Sequence, residues 1–193
     1  MHRERGIAMR VLRHVLGILL MASSTIYADI GPAKLETLIE GSDLVVLGKV
    51  SEIKTLDDGF RVATVEVIET LRGSEQRKTL YYIASHLTPE DVSDAKVGDA
   101  GVLFLRKPQK PVQKYPDAVR KITHDQPLFF IAHAGRGRLI PVKIDADNYV
   151  HFRRDRGILL PLKLSASARQ DANDPSLLLL RLDDLLNFIK QYR

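Results

Sequence analysis

The chain has 193 residues, 45% of them hydrophobic and 27% charged, with a formal net charge of +5. That balance suits one globular domain able to bury a core, and it excludes a disordered chain or a fibre. With no cysteine anywhere, disulfides, thiolate catalysis, cysteine-based zinc sites and a lipid anchor through a lipobox cysteine are excluded together.

The N-terminus has the order of an export signal. Arg3, Arg5, Arg10 and Arg13 make it basic, an apolar run follows from Val15 to Ala22, and Ser23, Ser24 and Thr25 lead to Ala28. The run is shorter than the roughly 20 residues a helix needs to cross a bilayer. Residues 1–28 therefore read as a signal peptide cut after Ala28, with Ala22 as a weaker cut, and Met9 offers an alternative start. This implies a periplasmic or secreted protein without stable membrane insertion after cleavage. Removing that segment, which holds four Arg and one Glu, leaves 25 basic against 23 acidic side chains, a net charge of +2. That is not the balance of a nucleic-acid-binding domain.

Residues 29–193 read as a single β domain. Pro32–Glu40 has Leu35, Leu38 and Ile39 at helical spacing and a stop at Gly41. Residues 43–55 and 60–71 read as long strands joined by an Asp57-Asp58-Gly59 turn, with Gly48 marking a bulge or barrel bend. Residues 78–85 make a third strand, Thr88-Pro89 a helix start, 96–99 a turn and 100–106 a buried fourth strand. The proline-rich stretch 107–127 reads as a loop. Residues 128–133 and 138–144 suggest a hairpin around residues 134–137, and 149–153 and 158–164 a second one around residues 154–157. Leu182, Leu185, Leu186 and Ile189 predict a C-terminal helix near 178–192. The expected core includes Leu44, Val46, Val65, Val67, Leu103, Leu105 and Phe130.

Catalytic motifs are missing from this pattern. No G-x-S-x-G elbow occurs, and His86, His124, His133 and His151 are too widely spaced for a local metal site. Asp145-Ala146-Asp147-Asn148 resembles the start of a calcium loop but runs straight into a strand. No catalytic, cofactor-binding or metal-ligating residue is therefore assigned. The candidate contact residues are Arg136, Arg138, Arg153, Arg154 and Arg156, which flank two expected turns. Gathered at one end of a barrel, their guanidinium groups could hold carboxylate or phosphate bidentately.

Four segments, GSDLVVLGKVSEI, VATVEVIETLRG, VGDAGVLFLR and HAGRGR, resemble bacterial exported proteins of unknown function that carry an oligonucleotide/oligosaccharide-binding (OB) barrel. Netrin-like modules and tissue inhibitors of metalloproteinases share that shape. The resemblance spans roughly residues 35–140 and rests on strand and turn patterns. It implies a mainly β fold: a small OB-like antiparallel barrel with short peripheral helices, including a C-terminal one. The zinc-chelating cysteine of the metalloproteinase inhibitors has no counterpart here, so that chemistry does not transfer. The expected function is an exported, non-catalytic binding module for a protein or glycan. The alternatives are an enzyme inhibitor or accessory subunit, and a hydrolase using residues such as His133 and Asp145.

Overall fold

In the computed structural model, the described residues are 31–56, 59–85, 94–109, 115–133, 136–153 and 157–192. In chain order, β1 (Ala33–Lys34) and α1 (Leu35–Glu40) precede β2 (Leu44–Thr55), β3 (Arg61–Arg72), β4 (Thr79–Ile83) and β5 (Ala100–Arg106). Next come α2 (Pro116–Thr123), β6 (Leu128–Ile131), β7 (Arg138–Leu139), β8 (Val142–Ile144), β9 (Asp147–Arg153) and β10 (Ile158–Leu159). The chain finishes with α3 (Leu162–Ser167), β11 (Arg169–Gln170), β12 (Leu177–Arg181) and α4 (Leu182–Gln191).

Five strands close into a barrel in the order β2-β3-β4-β6-β5, and β5 pairs back onto β2. All pairs are antiparallel except β4 with β6. The fold is thus mainly β, an OB-like barrel with short peripheral helices. Long coiled strands make closure possible, because β2 pairs with β3 along its length and with β5 through its first half only. Gly48 sits at one of the register shifts in the β2–β3 ladder. A Cβ there would come within 2.6 Å of the Val65 side chain and 3.1 Å of the Glu66 carbonyl. Glycine is what lets the two backbones approach at this bend.

Alternation along the strands separates an inner from an outer face. Leu44, Val46, Val65, Leu103 and Leu105 point inward and are buried together with Tyr82 and Phe129. Val67 packs partly buried against them. Phe130 departs from expectation, since Phe129 fills the barrel while Phe130 packs outside against the cluster under α2. Adjacent phenylalanines in Leu-Phe-Phe-Ile give no polar neighbour to mark the faces, and a one-residue slip exchanges them.

Both broad outer faces are covered. Val62, Tyr81, Ile83 and Leu128 pack under Val119 and Ile122 of α2. This helix occupies the stretch expected to be a loop; Pro116 stands in its first turn and Tyr115 and His124 flank it with left-handed backbones. On the other side, Val45, Val102 and Phe104 pack against α1, α4 and a second sheet of order β11-β12-β9-β8.

That second sheet revises three expectations. Residues 177–181 form a strand on β9, so the C-terminal helix covers only Leu182–Gln191. Partnership across the sheet overrides the helical preference of four consecutive leucines. β9 pairs with β8 and β12, whereas residues 158–159 pair in parallel with β1 and 162–167 turn helical. Asp57, Asp58 and the helix start at 88–91 lie outside the described residues. No described helix is long and apolar enough to cross a membrane.

Candidate functional site

The expected hairpin around residues 134–137 is instead an excursion from one strand. β6 pairs with Leu105 and Arg106 of β5, and β7 pairs with Leu103 and Val102 of the same strand. Between them, the Ala132 amide donates to the Phe104 carbonyl at 2.8 Å, and the Phe104 amide donates to the Gly137 carbonyl at 2.8 Å. The Gly137 amide then closes the base on the Ala132 carbonyl at 3.0 Å. The β5 ladder therefore passes directly from Ala132 to Gly137, with His133 and Arg136 at the two ends of the intervening excursion. Local glycine content cannot distinguish this from a hairpin, because the deciding partner is a strand about thirty residues upstream.

The excursion grips the segment leading into β1. His133 Nε2 lies 3.3 Å from the Gly31 carbonyl, and Arg136 Nη1 donates to that carbonyl at 3.2 Å. Two residues on, the Ala33 amide donates to the Gly157 carbonyl at 2.9 Å. Residues 31–33 thus link His133 and Arg136 to Gly157. Arg154 and Arg156 lie outside the described residues. Arg153 ends β9, where its guanidinium sits 3.5 Å from the Ser176 hydroxyl.

Arg138 does not belong with them. Its side chain is only 15% exposed and pairs with Asp99 at 2.6 Å. It also donates to the Asp94 carbonyl. Arg61 pairs with the Asp94 carboxylate and donates to the Ala95 carbonyl at 2.9 Å. Ala95 packs into the barrel interior. Two arginines therefore clamp residues 94–99 over one barrel end, and Arg138 is a structural ion pair rather than a surface contact.

A cleft of about 190 Å³ opens beside the excursion, lined by Ala33, Thr37, Leu38, Gly41, Arg106, Ala132 and His133. Strand alternation puts Arg106 on the outer face with Val102 and Phe104, which is the face α1 covers. His133 holds a left-handed backbone at φ 54°, uncommon for a residue with a Cβ. Burial, opposed by its bond to Gly31 and reinforced by the Arg136 charge, lowers its pKa from 6.5. The imidazole is accordingly neutral at pH 7. Sequence reasoning missed Arg106 and Thr37, since only tertiary contact joins residues 33–41, 106 and 132–133.

The other histidines are scattered. His124 caps α2 with its ring 6.5 Å from that of Tyr81, His151 is exposed on β9, and His86 lies outside the described residues. Asp145 forms the β8–β9 turn with a left-handed backbone at φ 56°. Among the described residues no group of three or more His, Asp or Glu is placed to hold a metal. Comparison of the chain with protein-family models and with curated proteins returns no match.

Proposed function

We propose that this chain is an exported, non-catalytic binding module of the kind suggested by netrin-like and metalloproteinase-inhibitor-like barrels in bacterial exported proteins. Cut after Ala28, it meets a protein or glycan partner in the periplasm or outside the cell. Its contact surface is the rim at Arg136 and the adjoining cleft. The observation that carries this reading is the excursion between Ala132 and Gly137. Those two residues complete the β5 ladder between them, and the excursion carries His133 with a left-handed backbone beside Arg136, both at the Gly31 carbonyl. Such retained local strain suits a contact surface better than a connecting turn.

Binding is expected to be electrostatic and therefore screened by salt. The exported protein is titrated with poly-L-glutamate and with polygalacturonate at low and high ionic strength, and its N-terminus is read by mass spectrometry. Arg136→Ser is expected to weaken binding severalfold and to cost no more stability than one exposed hydrogen bond, about 1 kcal/mol, and the mature chain to begin at Asp29. Absence of binding to either polyanion at low salt, or equal binding by Arg136→Ser, refutes the proposal.

A further inference from the structure

We infer that the cleft between α1 and the excursion captures the C-terminal end of a partner's polypeptide chain, Arg106 holding the carboxylate and the apolar floor receiving the last side chain. This rests on reading the same rim as a binding surface.

The unpartnered charge is the first observation. Every other arginine among the described residues has a hydrogen bond, an ion pair or an aromatic ring. Arg106 has none of these, although its backbone is fixed in the barrel sheet opposite Phe130. A guanidinium on a fixed strand is poised for a bidentate carboxylate, the strongest pairing open to it.

The lining is the second. It contains no carboxylate, so nothing in the cleft competes for Arg106. Two acids at and just after the end of α1 have partners of their own: the Asp43 carboxylate accepts the Lys107 amide at 2.7 Å, and the Glu40 carboxylate accepts the Tyr192 hydroxyl at 2.7 Å. Ala33, Leu38 and Ala132 form an apolar floor, and the Thr37 hydroxyl supplies a polar edge.

Size and shape select the occupant. At about 190 Å³ the cleft falls below the roughly 300–1,000 Å³ that encloses drug-sized ligands. It holds no phenylalanine, tyrosine or tryptophan face on which a sugar ring could lie. A chain end carries its carboxylate and its side chain on one carbon, so a single residue can satisfy both the charge and the floor. An internal Asp or Glu brings the charge alone.

The test uses the exported protein, isotope-labelled, with two probes: acetyl-Ala-Ala-Leu as the free acid and as the C-terminal amide. The acid is expected to shift the amide resonances of Thr37, Leu38, Ala132 and His133. The amide should bind at least about tenfold more weakly, the worth of a hydrogen bond to a charged group. Arg106→Gln should lose the same factor at an unchanged melting temperature, and Arg106→Lys should recover only part of it. Equal binding of acid and amide overturns the inference. So do shifts confined to other residues, and so does acetate alone reproducing the shifts at equal affinity. The broader reading is judged separately: polyanion binding that depends on Arg136 survives failure of the peptide, and peptide binding survives failure of the polyanions.

Discussion

Tyr82 puts the barrel interior to a quantitative test. The ring is fully buried between β3 and β6, and its hydroxyl has no hydrogen-bond partner among the described residues. A buried hydroxyl left unsatisfied costs about 1–3 kcal/mol. Tyr82→Phe removes that group and leaves the ring, so it should be neutral to stabilising by up to that amount. For a chain of this size each kcal/mol corresponds to about 2–4 °C in melting temperature. Burial also raises the Tyr82 pKa from 10.0 to about 12; the Arg138 and Arg61 charges oppose the rise and the Asp99 and Asp94 charges add to it. The unfolded chain therefore releases this proton near pH 10 while the folded chain retains it. Stability from this source is complete below pH 10 and is lost as pH rises toward about 12. Two pH units at about 1.36 kcal/mol each make the loss of order 2–3 kcal/mol. Urea unfolding of both proteins from pH 8 to pH 12 reads both effects, each about 1–3 kcal/mol. The wild type should fall more steeply than Tyr82→Phe above pH 10. A variant that loses more than about 1 kcal/mol at neutral pH, or one with the same alkaline slope, refutes the placement of this hydroxyl.

Two further substitutions test the barrel and its closed end. Val65→Asp puts an unpaired carboxylate into the packed interior, where the penalty is several kcal/mol; circular dichroism should show an unfolded chain, and a melt like wild type would mean that Val65 faces outward. Arg138→Ala should lower stability by about 1–3 kcal/mol in guanidinium unfolding, because it leaves Asp99 and the Asp94 carbonyl without their clamp, and a change comparable to that of Arg136→Ser would contradict the difference in their surroundings.

What could be read locally and what could not divides along sequence separation. β2, β3 and β5 fall within a residue of expectation because their apolar alternation lies within each segment, and Gly48 marks its bulge by itself. The parallel pairings, β4 with β6 and β1 with β10, have no local signature, since each depends on a strand tens of residues away. The same holds for the excursion, whose glycines look like a hairpin until β5 supplies a common partner for both flanks. α2 was obscured by its own capping: Pro116 suits a first helical turn, but four prolines among lysines read as a loop. Of the arginines singled out, Arg138 could not be assigned from its neighbours in sequence, because its partners Asp99 and Asp94 lie 39 and 44 residues upstream. Arg106 gave no signal at all, being an ordinary charge at the end of an apolar strand.

Where a ligand can approach follows from what covers the barrel. OB barrels commonly bind extended ligands across their second and third strands, between the loops that border that face. Here those strands are β3 and β4, and their outer side chains Val62, Tyr81 and Ile83 are buried under α2. The helix belongs to the connection between the fourth and fifth barrel strands, so the chain lays its own loop across the face. An oligosaccharide or oligonucleotide lying there would have to lift Val119 and Ile122 out of the cluster. Exposing each such side chain costs about 1.5–3 kcal/mol before any new contact forms. The opposite face is closed by the second sheet, whose Val150, Phe152 and Leu180 pack on Val45, Val102 and Phe104. Approach at the rim beside α1 displaces nothing from either cluster. Arg106 and His133 line the cleft at that rim, with Arg136 bonded to the same Gly31 carbonyl as His133, and the cleft's size suits the end of a chain better than its middle.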